Sequence, residues 1–451
     1  MRRCGHGIWF IVVVAAVIAV MAAGCTDDRY SPYIIPSYSP RTDPGTRTPS
    51  PVARKVFILY SCGYNNLASY LKKNIDSLSR GYLPSGRKGD DVLLVFSKTT
   101  AKSRDYTTPM QPALFRLYRG MDGKCTADTV LTLPSTAVAA DPATMKQVLT
   151  YVRDNYQSNS YGMVFSSHAT GWLPLGYYAN PYKFDGGSSG DEWFLSAPRR
   201  AFRYSWPEER EGFPMVKTVG QEQSGSVSWE MSLKDFAEAI PMHMDYILFD
   251  ACFMGCVETA YELRNVCSAV GFSPAEILGD GYDYTGMGMQ LLRNSVPDPS
   301  AVLADYVARY DAMTGVWHSA VASLVDCSRM DDLAALCKEL FQTHRAQLQS
   351  ADASRIQPFF GGSKHWFYDL GDILDKAGIT AAERARLDAI LSDAVIYKGH
   401  TGQYYIDADQ RTHKIETFSG LTMFLPSMGS TYLNAFYRDN ISWNDATELV
   451  K

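Results

Sequence analysis

The chain has 451 residues, 46% of them hydrophobic and 12% aromatic, and a formal net charge of −5. This composition excludes a disordered or low-complexity protein, and the length allows two to three domains of roughly 150 residues each. An acidic balance without runs of Lys or Arg excludes nucleic acid as a partner, because phosphate backbones demand clustered cations. A single long apolar run excludes a multi-pass membrane protein.

That run comes first. Arg2 and Arg3 precede the apolar residues 8–21 and the small residues Ala22-Ala23-Gly24, the layout of an export signal. It is shorter than the roughly 20 residues a bilayer span needs. Cys25, directly after the small residues, resembles the acylated cysteine of bacterial lipoproteins. Residues 1–24 are therefore read as a lipoprotein signal peptide and Cys25 as the lipidation site. Ala22 stands where Leu is commoner, which keeps ordinary signal-peptidase cleavage as the alternative. Residues 25–54, with Pro32, Pro36, Pro40, Pro44, Pro49 and Pro51, read as an extended stalk. The expected location is the bacterial cell envelope, at the outer membrane or cell surface, with the lipid as the membrane partner. Each buried acyl CH₂ would contribute about 0.8 kcal/mol to that anchor.

Beyond the stalk, short apolar runs alternate with helical spacing. Strands are expected at 55–61, 91–97, 161–167, 245–251 and 267–273, with an exposed pair at 113–119 and 128–133. Helices are expected at 67–79, from the N-cap Asp141 and Pro142 towards Tyr156, and at 233–240 and 255–265. Such alternation argues for α/β architecture, a mostly parallel sheet flanked by helices, with chemistry beyond the carboxyl ends of the strands. The core is assigned to 55–330. Between Trp172 and Val227 the periodicity disappears, and 173–227 is too long for an ordinary connection, so it reads as a lid or activation segment. Residues 331–451 read as a smaller C-terminal α/β region. Of the cysteines left after Cys4 and Cys25, seven remain, an odd number without Cys-x-x-Cys or Cys/His clustering. Most are expected to be buried small hydrophobes.

Two strand ends carry reactive side chains: Ser166-Ser167-His168-Ala169-Thr170-Gly171 and Asp250-Ala251-Cys252-Phe253-Met254-Gly255. A cysteine nucleophile works as thiolate, which an imidazole and a following helix N-terminus both favour. His168 can take the thiol proton and return it to a leaving amine. The helix expected near Gly255 would supply the partial positive charge beside Cys252. His243, His318, His365, His400 and His413 lie in no comparable setting and read as structural.

Strand-His-x-x-Gly followed by strand-Asp-x-Cys-x-x-Gly is similar to the clostripain family of cysteine peptidases, of the caspase-like clan. The likeness extends through Ser273-Pro274-Ala275-Glu276, Gly279-Asp280-Gly281-Tyr282-Asp283-Tyr284, Tyr368-Asp369-Leu370-Gly371 and Gly420–Pro426. It implies a caspase-like fold, His168 and Cys252 as the catalytic dyad, and cleavage of peptides after Arg or Lys. Asp250 matches the family's acidic residue of the primary specificity pocket. Residues 250 and 252 of an extended strand project to one face, in keeping with that role; the bland alternative is a carboxylate that only pins the following turn. Backbone N–H groups at Ala169 and Cys252 are the expected oxyanion donors.

The resemblance also brings calcium as a candidate cofactor, although no calcium loop is recognisable, so the metal ligands stay unassigned. It brings self-maturation too, for which Arg199, Arg200 and Arg203 are the leading candidate points, with Arg210 and Lys217 beside them. Two departures stand out: Ala169 replaces the usual Gly after the histidine, and Tyr64 precedes Asn65-Asn66-Leu67 where an acid is common. The chain is expected to be a monomer. The competing reading is a lipoprotein that kept the fold, lost turnover and acts as a cell-surface binding module through aromatics such as Trp172, Trp193 and Trp206.

Overall fold

Strand β1 (Val56–Gly63) is buried along its whole length, and β2 (Val92–Thr99) and β5 (Tyr161–Ser166) are nearly as well covered. Continuous apolar runs of this kind suit a sheet covered by helices on both faces. The structure is a computed structural model that describes residues 54–100, 109–179, 181–185, 201–202, 214–215, 217, 222–224, 227–361 and 365–451. The leader, Cys25 and the stalk up to residue 53 lie outside them.

Between β2 and β5 runs a hairpin, β3 (Ala113–Arg119) and β4 (Cys125–Thr132). After β5 come three short strands, β6 (Ala201–Phe202), β7 (Glu222–Ser224) and β8 (Val227–Trp229), which form a separate sheet with β8 in the middle. Strands β9 (Met244–Asp250), β10 (Cys267–Phe272) and β11 (Val321–Asp326) return to the main sheet. Further on, β12 (Tyr368–Asp369) pairs with β16 (Thr422–Met423), β14 (Gln403–Ile406) pairs with β15 (Arg411–Lys414), and β13 (Val395–His400) lies beside β11.

The main sheet has nine strands in the order β13-β11-β10-β9-β5-β1-β2-β3-β4. Its central neighbours, from β10 to β2, are parallel, whereas β11 and β13 on one side and β3 and β4 on the other are antiparallel. The sheet is thus mixed: parallel at its heart, where the helical crossovers lie, and antiparallel at its margins. The helix Ala68–Arg80 buries Leu71, Ile75 and Leu78, one face at helical spacing. The helix Pro142–Asn155 starts after Asp141 with Pro142 at its first turn, although the Asp141 side chain does not accept the capping hydrogen bond.

The C-terminal residues belong to the same compact unit as the core. Strand β13 completes one margin of the sheet, and Thr422 N–H donates to the Gly255 carbonyl at 3.0 Å. Phe424 N–H and the Tyr437 hydroxyl both donate to the buried Glu258 carboxylate, at 3.0 and 2.7 Å. These bonds tie the C-terminal chain to the turn that carries Cys252. Trp172 lies in the same packing. It is 2% exposed and meets Phe424 and Tyr437 at 4.9 Å between ring centroids. It is a core residue, and the contact role considered from sequence does not apply to it. Trp193 and Trp206 lie outside the described residues.

All seven described cysteines are free thiols, and only Cys125 is exposed. No helix of the described residues is long and apolar enough to cross a membrane.

Candidate active site

Strands β5 and β9 are parallel neighbours, with Ser166 opposite Asp250. His168 and Cys252 each follow two residues later, at the carboxyl edge of the sheet, and both are buried. The glycines of the two motifs have steric reasons. A Cβ on Gly171, which has φ +59°, would lie 2.6 Å from the Phe253 carbonyl oxygen, so the histidine loop can close over the cysteine turn only with glycine there. A Cβ on Gly255 would come within 2.4 Å of the Pro274 nitrogen. Phe253 itself adopts a left-handed conformation, φ +58°, at a cost of roughly 1–2 kcal/mol for a residue with a side chain. Its ring is held by stacking on Phe367 and Phe360, at 5.2 and 4.9 Å between centroids.

The His168 Nε2 atom lies 2.7 Å from Asn66 Oδ1. Asn66 follows β1, and its orienting contact was not read from the sequence, although the Asn-Asn-Leu stretch was visible there. Burial first, then the Lys217 charge, hold His168 well below the ordinary histidine range.

The Cys252 sulfur accepts from Ile277 N–H at 3.2 Å. Burial and the Glu276 carboxylate push this thiol well above its ordinary value, against the opposing pull of Ile277 N–H and Lys217. The helix expected at Gly255 begins at Val257, with Cys256 at its N-cap. The positive groups beside the sulfur are therefore Ile277 N–H and Lys217 rather than a helix terminus. In this closed arrangement both shifts favour the neutral forms of the two groups.

Asp250 is fully buried, and its Oδ2 accepts from Ser166 Oγ at 3.0 Å and from the Tyr284 hydroxyl at 2.5 Å. Its third partner is the ammonium of Lys217, itself fully buried, which also donates to Ser166 Oγ at 3.2 Å. Oδ1 has no hydrogen-bond partner among the described residues. Gly281, with φ +63°, leaves the room the lysine fills: a Cβ there would lie 2.5 Å from both Asp250 oxygens and 2.6 Å from the lysine nitrogen. The pocket wall is tyrosine-rich, with the Tyr282 hydroxyl on the Phe249 carbonyl at 2.7 Å and the Tyr310 hydroxyl on the Gly281 carbonyl at 3.1 Å.

The main chain at Lys217 is held as firmly as its side chain. Lys217 N–H donates to the Ile277 carbonyl at 2.9 Å and Gly279 N–H to the Met215 carbonyl at 2.6 Å, the bonding of an added antiparallel strand. Cys252 N–H donates to the Lys217 carbonyl oxygen at 2.8 Å. The amide expected to stabilise an oxyanion thus already grips a carbonyl whose side chain sits on Asp250. Ala169 is buried beside His168. Arg199, Arg200, Arg203 and Arg210 lie outside the described residues, so of the five basic residues considered only Lys217 has a described position. Among the described residues no group of three or more His, Cys, Asp or Glu side chains could hold a metal ion.

The family model described as the clostripain family matches residues 59–192 and 205–446. Among solved structures, the chain is similar to an inactive zymogen C11 protease from Parabacteroides distasonis, with a TM-score of 0.68, 24% identity, and coverage of 88% of this chain and 98% of that one. It is equally similar in fold to a secreted C11 cysteine protease from Bacteroides thetaiotaomicron in complex with an irreversible peptide inhibitor, with a TM-score of 0.68, 22% identity, and coverage of 88% and 99%. The helix-flanked sheet expected from sequence is the fold of these proteases. A search of curated protein sequences finds no significant match.

Proposed function

Because the chain belongs to the clostripain family of cysteine peptidases, we propose that it is an exported, lipid-anchored endopeptidase that cuts after Lys or Arg, made as a precursor stopped by its own Lys217. The single observation that carries this reading is the Lys217 ammonium on Asp250 with the Lys217 carbonyl on Cys252 N–H. A peptide substrate would add the same strand and put its basic side chain in the same place. Asp250 Oδ1, which has no hydrogen-bond partner among the described residues, gives a guanidinium a second acceptor, so arginine fits by a bidentate contact and lysine as a point charge.

In this reading Cys252 Sγ attacks the carbonyl carbon of Lys217 while His168, oriented by Asn66, takes the thiol proton. The bond to Thr218 breaks, and His168 gives that proton to the leaving amine. Water then attacks the thioester, losing a proton to His168, and the regenerated thiol leaves a free Lys217 carboxylate. Cys252 N–H and, in this proposal, Ala169 N–H stabilise the oxyanion, each donor contributing about 2.7–4 kcal/mol in comparable sites. Within one chain the high thiol pKa is offset by proximity, which in well-oriented reactions is equivalent to about 10⁵–10⁸ M of reactant. We assign the first cut to Lys217 rather than to Arg199, Arg200 or Arg203.

Intact mass after incubation tests the reading. Wild type should yield a fragment ending at Lys217, Cys252→Ala should stay whole, and hydrolysis of fluorogenic Lys or Arg peptides should vanish in Cys252→Ala and His168→Ala. No turnover of either peptide by wild type, with or without calcium and before or after trypsin, would sink it. Loss of palmitate incorporation in Cys25→Ser checks the anchor, and failure of wild type to incorporate the label removes it.

A further inference from the structure

A second buried ion pair lies outside the catalytic arrangement. Lys98, at the end of β2, is 2% exposed, and Glu222, the first residue of β7, is 1% exposed. The Lys98 ammonium pairs with Glu222 Oε1 and donates to the Ala137 carbonyl, and Ala139 N–H donates to Glu222 Oε2. The face of Tyr64 lies 5.1 Å from the same ammonium. Tyr64 is the residue noted as standing where an acid is common, and here the acid beside Lys98 comes from the insertion instead. The Ala137 and Ala139 backbone belongs to the turn before the helix Pro142–Asn155, so the receptor for Glu222 is built entirely from the sheet and its connections.

The position of Glu222 in the chain gives this pair a purpose beyond stability. It comes five residues after Lys217, on the side of the chain that departs when the Lys217–Thr218 bond breaks. Five residues of extended chain span at most about 17 Å. The chain is thus gripped on one side of that bond by Asp250, Cys252 N–H and the Ile277 carbonyl, and on the other by Lys98 and the 137–139 turn. Two anchors so close in sequence restrict how far the intervening bond can drift from the nucleophile, and orientation of the reacting groups is where an intramolecular cut gains most of its rate.

We propose that Lys98 and Glu222 are positioning residues for the cut in cis: a latch on the leaving side of the Lys217–Thr218 bond that registers it over Cys252. This inference rests on Lys217 being the self-cleavage point. A free peptide substrate carries no Glu222 and is held by the Asp250 pocket and strand addition, so the latch has no part in its turnover. Two groups that act through Cys252 only in one chain should separate the two reactions kinetically, which a merely structural ion pair would not.

The experiment follows the purified precursor by intact mass and N-terminal sequencing, for wild type, Glu222→Gln and Lys98→Met. In parallel each protein is cut with trypsin and assayed on a fluorogenic Lys peptide. The expected result is that the Thr218 N-terminus appears at least about tenfold more slowly in both variants, while kcat/KM after external cutting stays within about twofold of wild type. Equal rates of self-cutting in wild type and Glu222→Gln overturn the latch and leave the Lys217 assignment standing. A wild type that turns over peptide but never shows a Thr218 N-terminus overturns the assignment itself, and the latch with it. Loss of external turnover in step with self-cutting in both variants also overturns the latch, because the pair would then support the fold as a whole. Glu222→Gln, nearly isosteric, guards against a misfolded Lys98→Met.

Discussion

Two buried lysine–carboxylate pairs fasten the same stretch of chain, and they are wired in opposite senses. At Asp250 the body of the protein supplies the carboxylate and the insertion supplies Lys217. At Lys98 the body supplies the lysine and the insertion supplies Glu222. The difference teaches which of them can serve other molecules. Withdrawing the insertion from Asp250 would leave a buried carboxylate beside Gly281, the acceptor that the proposed function gives to a basic substrate side chain. Withdrawing it from Lys98 would uncover a cation beside the Ala137 carbonyl and the Tyr64 face, which a basic substrate residue would not enter. Burial of a charge without its partner is costly in either case.

The sharpest way to break the comparison is Asp250→Asn. Removing one partner of a buried, hydrogen-bonded charge pair typically costs about 3–5 kcal/mol. Turnover of Lys and Arg peptides should therefore fall by about 10²–10⁴ in kcat/KM, together with self-cutting, whereas Glu222→Gln slows only the second. Retained peptide turnover in Asp250→Asn would erase the asymmetry between the pairs.

Gly281→Ala is the next largest test. Its Cβ would sit on both Asp250 oxygens and on the lysine nitrogen, at a backbone conformation that disfavours a side chain. Overpacking of this size costs about 1–3 kcal/mol. It should raise KM for basic peptides and weaken the hold on Lys217, and an unchanged KM would show that substrates bind elsewhere.

The smallest effect is a pH dependence carried by His168, on the Asp250 side. Burial, and then the Lys217 charge, hold His168 below its ordinary value in the closed chain. As pH falls below about 6.5 the unfolded chain takes up a proton that the folded one refuses. The closed precursor therefore loses stability as pH falls through that range, down to the folded value, by at most about 1.4 kcal/mol per pH unit. Denaturant midpoints of Cys252→Ala, which stays uncut, should show the slope, and adding His168→Gln should flatten it. Proton NMR should find His168 titrating higher once the chain is cut and Lys217 leaves.

Much of this was legible in the sequence because it is local. Runs such as 55–61 and 245–251 are too apolar to be anything but covered strands, and residues at their ends fall on the carboxyl edge of the sheet by construction. The antiparallel margins, β11 and β13 on one side and β3 and β4 on the other, make the sheet mixed, because strand direction is set by connections that periodicity does not reveal. Trp172 looked available for contact because Phe367, Phe424 and Tyr437, which bury it, come much later in the chain. The Val257 helix start and the Ile277 N–H at Cys252 depend on how the loop after β10 folds back. Lys217 was one basic residue among five, and nothing in its neighbours in sequence distinguishes it. What does is a carboxylate on another strand.

The nine-stranded sheet takes β1 to β5 from before Lys217 and β9, β10, β11 and β13 from after it, and the two groups meet where Ser166 faces Asp250. A chain severed there would leave two polypeptides sharing one hydrophobic interior, with no covalent bond between them among the described residues. Its recovery from denaturant would then become a second-order event, dependent on protein concentration in a way that recovery of the uncut chain is not. Dilution after unfolding should silence the severed form permanently while the whole chain returns, so maturation would make loss of shape irreversible.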